Sequence, residues 1–339
     1  MIPPEDHQRA SVIASCTDPL PGNVVSQYGK RVIKISDHQV VKWGIEVTKE
    51  EAENQKRLYE LVDRRIVRIP RVYDFFTDGH YGYIVMEFLQ GKVIDPLEDD
   101  DAIQRVARVV NYLATFKHNA PGSLYGGACR GLLFPDTEDL AFDSLDEMEK
   151  WFNTRLFAHN PKLTLQGCEL ALCHLDIAPR NVLWQEDGTL CLLDWATAGY
   201  YPRLFEFSVQ WILDGKDGNF NSLMLKYMNP LSEQEMAQKE AFMCAWRNIQ
   251  KHPFRSKTSP PFRRPSARRY PVPAHPMPDY PPGWHEAAQL ESPMPTEVSP
   301  GTPPTTALGP GEQNNIYSRI TRYLRAIFLP RSKPSEAVC

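Results

Sequence analysis

No stretch of this 339-residue chain approaches the roughly 18 consecutive apolar residues that a membrane-spanning helix needs. No transmembrane segment is therefore expected. The opening residues, with Pro3, Pro4, Glu5 and Asp6, hold no apolar run of secretory-leader length. Cys-x-x-Cys pairs are also missing. Cys16, Cys129, Cys168, Cys173, Cys191, Cys244 and Cys339 are scattered and odd in number. That argues against a disulfide framework or a thiolate metal site and for reduced thiols. Together these absences predict a cytoplasmic protein. There is no excess of positive charge either: the formal net charge is −4. A whole-chain nucleic-acid binder is usually basic, so no nucleic-acid partner is expected. An apolar fraction of 42% is enough for a sizeable core.

What is present is unevenly arranged. Residues 1–22 read as a disordered tail. Residues 23–92 read as a small lobe of strands around one helix. Within it, residues 31–35 and 39–43 are β-branched runs separated by Ser36, Asp37 and His38, which is hairpin chemistry. Thr48 can cap a helix reaching Val62, with Glu51 as its capping-box partner. Residues 71–76 and 81–88 flank Thr77, Asp78, Gly79 and His80 and predict a second hairpin. Residues 93–250 read as a larger, mainly helical lobe. Ile103, Val106, Val110 and Leu113 share one helical face. A helix is predicted over 145–157, with Ser144 as cap and Glu147 as its partner. Residues 170–172, 182–184 and 190–193 are short apolar strands, and Asp187-Gly188 turns between the last two. Ser232 and Glu235 open a further helix towards Trp246.

Composition then changes. More than half of the thirty prolines fall between Pro253 and Pro310. Helices and sheet interiors tolerate few prolines, so 251–313 is predicted to be disordered. Its Pro273/Pro276 and Pro278/Pro281 spacings are of the kind that docks in aromatic grooves of a protein partner, or else belong to a plain spacer. A short amphipathic helix is predicted over 314–329, followed by a tail over 330–339. That helix either docks on the large lobe or lies on an anionic membrane surface.

The residues that carry chemistry stand at the strand ends. His174, Asp176 and Asn181 form a His-x-Asp-x-x-x-x-Asn loop, and an apolar strand ends in Asp194-Trp195. Phosphoryl transfer needs a base for the attacking hydroxyl and oxygen ligands for magnesium, with little covalent chemistry from the protein. On that logic Asp176 is the base, Asn181 and Asp194 hold Mg2+, and His174 props the loop. The hairpin between Asp176 and Asp194 returns both carboxylates to one end of the strands. In the small lobe, Lys42 stands on a strand just before a helix and suits ATP phosphate oxygens. Glu51 is its expected partner, with Glu53 as the competitor. Residues 85–91 suit a hinge whose backbone at Glu87 and Phe88 binds adenine. No GxGxxG loop stands near residues 27–35, where Gly29 is alone.

These motifs resemble the aminoglycoside phosphotransferase and choline kinase-like family. The likeness is nearest to a fungal-type branch with His-x-Asp-x-x-Pro-Arg-Asn and Asp-Trp-x-x-Ala-Gly-x-x-Pro segments, here 174–181 and 194–202. It covers about residues 23–250. It implies an α+β, bilobal protein-kinase-like fold: a small antiparallel-sheet N-lobe with one helix and a larger, mainly helical C-lobe. It also implies ATP, magnesium and a small-molecule hydroxyl acceptor. Protein kinases usually carry Lys two residues after the catalytic Asp, then Asp-Phe-Gly and Ala-Pro-Glu. Here Ala178, Trp195 and Ala196 stand instead, and no Ala-Pro-Glu follows. Glu206, Asp214 and Asp217 either attract a cationic acceptor, or are solvated or paired with a local Arg. Trp211 and Trp246 either stack on an acceptor or belong to the core. The alternative function is a catalytically weak pseudokinase acting as a nucleotide- or partner-binding module.

Overall fold

The computed structural model describes residues 4–20, 22–25, 31–135 and 138–251. The Pro-rich segment, the expected helix at 314–329 and Gly29 lie outside the described residues. The elements, in chain order, begin with helix α1 (Pro4–Thr17) and strands β1 (Arg31–Ser36) and β2 (Gln39–Gly44). Helix α2 (Lys49–Leu61) and strands β3 (Val72–Asp78), β4 (Tyr81–Glu87) and β5 (Lys92–Val93) complete the small lobe and its exit. The large lobe contains α3 (Asp100–Leu113), β6 (Lys117–His118), β7 (Gly122–Ser123), α4 (Leu145–Asn153), β8 (Leu170–Cys173), β9 (Val182–Trp184), β10 (Leu190–Leu192), β11 (Gly199–Pro202), α5 (Leu204–Leu213), α6 (Phe220–Tyr227), α7 (Glu233–Ala237) and α8 (Lys239–Lys251). The α+β, two-lobed architecture is the expected one.

The small lobe is an antiparallel sheet of order β1-β2-β4-β3. Both predicted hairpins form, and in the β2–β4 pair Lys42 stands opposite Ile84. α2 covers one face, where Val47, Ala52, Val72 and Ile84 pack together. The other face is covered by α1, so the expected tail at 1–22 is corrected to include a helix. The reason is a face of Ile33, Val41, Phe76, Tyr83 and Val85 that would otherwise meet water, and Val12 and Cys16 close it. Their spacing of four puts them on one side of the helix. Arg9 fixes the same side with a two-pronged ion pair to Asp74 (3.0 and 3.2 Å).

In the large lobe, Ile103, Val106, Val110 and Leu113 of α3 are all buried, as predicted. The predicted helix at 145–157 stops at Asn153. There the Asn153 side chain turns to clasp Leu163, donating to its carbonyl (2.8 Å) and accepting from its amide (2.9 Å). Ser232 and Glu235 make the predicted capping box, but the helix divides at Gln238 into α7 and α8. Gln238 Oε1 accepts from the Thr164 amide (2.7 Å), tying the break to another loop. β9 and β10 form the predicted hairpin and β5 pairs with β9, while β6, β8, β11 and β7 make another small sheet. No helix among the described residues is long and apolar enough to cross a membrane.

Candidate active site

β8 delivers the loop at 174–181. His174 is buried at its start, its ring tilted against the Trp195 ring with centroids 4.5 Å apart. Its Nδ1 accepts the Asp176 amide (3.2 Å). The proton therefore sits on Nε2, which donates to the Leu193 carbonyl (3.1 Å). His174 thus ties the loop to the strand that ends in Asp194. Leu175 adopts φ 62°, the left-handed region that L-residues seldom enter. The strain is held by fixed partners: Glu206 Oε2 accepts both the His174 and Leu175 amides (2.7 and 3.0 Å). Thr197 Oγ1 donates to the His174 carbonyl (2.6 Å).

The Asp176 carboxylate is gripped on both oxygens. Arg180 donates to Oδ1 (2.5 Å), and Asn181 Nδ2 donates to Oδ2 and to the Asp176 carbonyl (2.8 Å each). With its Nδ2 committed to Asp176, Asn181 leaves its amide oxygen as the remaining donor atom for a cation. The Leu193 amide bonds the Asn181 carbonyl (2.9 Å), which brings the strand leading to Asp194 alongside. Asp194 itself has φ 67° and breaks the chain from β10 into the turn at Trp195–Thr197.

Lys42 reaches this point from the small lobe. It is 7% exposed, and its Nζ bonds both Glu51 and Asp194, the latter at 3.1 Å. Glu51 is therefore the partner, as expected, and the competitor Glu53 pairs with Lys56 at the surface (2.9 Å). The predicted capping box at Thr48 is half formed. Thr48 accepts the Glu51 amide, but the Glu51 side chain goes to Lys42. At the hinge, Glu87 is held by Arg68 (3.1 Å) and by the Arg71 amide (3.1 Å). The Phe88 amide donates to the His38 carbonyl (2.9 Å). That amide is spent within the protein, so it is not the group through which the hinge backbone would meet adenine.

Of the three acids, Glu206 neither faces an acceptor nor is solvated. It is 4% exposed, behind the loop rather than in front of it. Burial raises its pKa to about 7, against the lowering pull of the Leu175 and His174 amides. Its Oε1 has no hydrogen-bond partner among the described residues. Asp214 accepts from Ser222 at the surface (2.5 Å). Asp217 does sit by the loop: burial raises its pKa, while Arg180 opposes that rise. Trp246 is core, with its indole N–H on the Leu132 carbonyl (3.0 Å). Trp211 lies under the Lys239 ammonium (3.9 Å).

Sequence reading misses Arg180, Thr197 and the inward role of Glu206. The four-residue spacing of Glu206 and Gln210 on α5 carries a signal. Both are buried, and Gln210 Nε2 also reaches the loop, at the Ile177 carbonyl (3.2 Å). Among the described residues there is no cluster of three or more His, Cys, Asp or Glu fit for a metal. One amide oxygen and one carboxylate instead match the sparse protein share of a magnesium shell completed by phosphates and water.

No curated protein matches the chain. Solved structures with a similar chain course include the choline kinase LicA from Streptococcus pneumoniae, at 14% identity over 74% of this chain and 93% of that one, TM-score 0.40. Aminoglycoside phosphotransferase APH(4)-Ia matches at 12% identity over 73% and 90%, TM-score 0.47. A putative fructosamine-3-kinase from Haemophilus somnus 129PT matches at 12% identity over 72% and 92%, TM-score 0.44. These three differ in the acceptor their names give, and none assigns one to this chain. The model of the phosphotransferase enzyme family matches residues 31–226, from β1 to the end of α6. That span is more than half of the sequence and includes Lys42, Glu51, Asp176, Asn181 and Asp194: the chain belongs to the phosphotransferase enzyme family.

Proposed function

We propose that this protein transfers the γ-phosphate of ATP to a hydroxyl of a small molecule, with magnesium. The observation that carries the reading is Lys42 held between Glu51 and Asp194, beside a loop that fixes Asp176 and Asn181. Asp176 orients the acceptor hydroxyl and takes its proton as the new P–O bond forms and the bond to the β-phosphate oxygen of ATP breaks, releasing ADP. Lys42 grips phosphate oxygens, and Glu51 orients Lys42. Asn181 and Asp194 would hold Mg2+, which, when bound, offsets phosphate charge. Adenine lies against the hinge at Glu87, with a donor other than the Phe88 amide.

The course of the chain after Asp194 favours a small acceptor over a peptide. Beyond the turn at Trp195–Thr197 the chain enters β11, which pairs with both β8 and β7. A long peptide-docking segment has no place there. The acceptor side is faced by Asp176, Arg180 and Asp217. The likeness of 174–181 and 194–202 to a fungal-type branch is part of this reading and rests on those residues alone. The cytoplasm is its proposed place, supported by six free cysteines among the described residues.

Asp194→Asn is expected to abolish Mg-ATP affinity with the fold intact. Equal binding of Mg-ATP by both forms in calorimetry would overturn the magnesium assignment. The sequence lacks a Gly-rich loop, which favours the second reading, a pseudokinase binding module. A thermal shift with Mg-ATP but no ATP turnover across a panel of hydroxylated metabolites would establish that second reading.

A further inference from the structure

Asn54 of α2 is fully buried and fills every hydrogen-bonding position its amide has. Its Nδ2 donates to the carbonyls of Trp195 (3.2 Å) and Ala198 (3.4 Å). Its Oδ1 accepts from the Tyr125 amide (2.9 Å) and the Ser123 hydroxyl (3.3 Å). One side chain thereby joins three segments distant in sequence: the helix that carries Glu51, the turn immediately after Asp194, and residues 123–125 of the large lobe. A second contact runs parallel to it. Arg57, three residues on, donates to the Leu124 carbonyl and lies over the Tyr125 ring (5.6 Å).

Glu51 and Asn54 are three residues apart, so they project from one face of the helix. Glu51 ends on Lys42, and Lys42 ends on Asp194. Asn54 ends on the carbonyl of the next residue, Trp195. The result is a closed ring of contacts: helix to lysine, lysine to aspartate, aspartate turn back to helix. A buried amide with all four positions filled is costly to displace, because each abandoned partner is left unsatisfied.

We infer that Asn54 is a positioning residue that latches α2 to the turn after Asp194, and so keeps Lys42, Glu51 and Asp194 assembled before nucleotide arrives. This rests on the phosphotransferase reading. The latch has two separable halves. Asn54→Asp keeps the acceptor oxygen for Tyr125 and Ser123 but turns a carboxylate oxygen towards two carbonyl oxygens. Ser123→Ala removes one bond from the other half and leaves the donors in place.

The test is native-state hydrogen exchange on the full chain, paired with calorimetry using Mg-AMP-PNP as the probe. Leu113→Ala, in the large-lobe core, serves as the control for general destabilisation. In Asn54→Asp, amides of α2 and of residues 195–198 should lose protection together, by about tenfold or more, while β3 and β4 keep theirs. Mg-AMP-PNP affinity should fall by about tenfold, a loss that Leu113→Ala does not reproduce. Ser123→Ala should move the same amides in the same direction by less, and it provides the comparison if Asn54→Asp does not fold. Loss of protection in only one of the two segments, or unchanged affinity with exchange like that of Leu113→Ala, overturns the latch. Wild-type protein that shows the coupled exchange yet does not bind Mg-AMP-PNP keeps the latch and overturns the nucleotide reading instead.

Discussion

Glu206→Gln separates the charge of the buried carboxylate from its shape. Glu206 lies behind the loop at 174–181 and accepts two backbone amides, yet burial raises its pKa from 4.5 to about 7. Between those values the folded protein holds a proton that the unfolded chain has released. Its contribution to stability is therefore fully present below about pH 4.5, declines as pH rises, and is lost above about pH 7. A rise from 4.5 to about 7 corresponds to about 3 kcal/mol, at 1.36 kcal/mol per pH unit. Glutamine retains an oxygen for the His174 and Leu175 amides and cannot titrate. Urea unfolding followed by tryptophan fluorescence at steps from about pH 4.5 to 8 would give both stability curves. Other titrating groups are common to both proteins and cancel in the difference. Wild type should lose about 3 kcal/mol relative to Glu206→Gln across the window. Parallel curves would refute the reasoning. A difference that grows the opposite way would show that the two amides hold Glu206 ionised.

Three further outcomes are expected. Lys42→Met leaves Glu51 and Asp194 buried without their shared cation and should cost about 3–5 kcal/mol in urea unfolding. A cost below about 1 kcal/mol would place the pair in solvent. Gly199→Ala puts a methyl group into the Gly122 carbonyl and 2.7 Å from the Tyr201 ring, so β11 must part from β7. A loss of about 2 kcal/mol is expected, and wild-type thermal stability would refute it. Burial pushes the Cys129 thiol up to about 11 and raises that of Cys191 further. Neither should react with a maleimide at neutral pH until the protein unfolds, and mass spectrometry of the labelled native protein checks this.

The parts of this structure legible in the sequence are those whose causes are local. The two small-lobe hairpins come from turn residues between β-branched runs, and the turn at Asp187-Gly188 from its dipeptide. Lys42 and Glu51 are nine positions apart, and their pairing is legible because a strand lysine precedes a capped helix. Glu206 is easily misread because its partners lie 32 and 31 residues away, and an acid in a helix first turn looks the same buried or exposed. Asn54 reaches across 141 residues to Trp195, and no local pattern marks such a bond. Helix α1 is hidden for a related reason: few of its residues are apolar, and the face they cover is assembled from four strands. The Phe88 amide suggests an adenine contact because a hinge strand looks the same whether or not its backbone is spent on His38.

Helix α1 bears on how the protein is prepared. The family match begins at residue 31, which invites trimming to 31–226. Such a cut would strip α1 from Val41, Phe76, Tyr83 and Val85, leaving a contiguous apolar face on the sheet that carries Lys42. It would also remove Phe242 and Trp246, which are buried in the large-lobe core. Sticky, poorly folded material is the expected product. An inactive fragment of that kind would report on its missing cover rather than on the chemistry of Asp176.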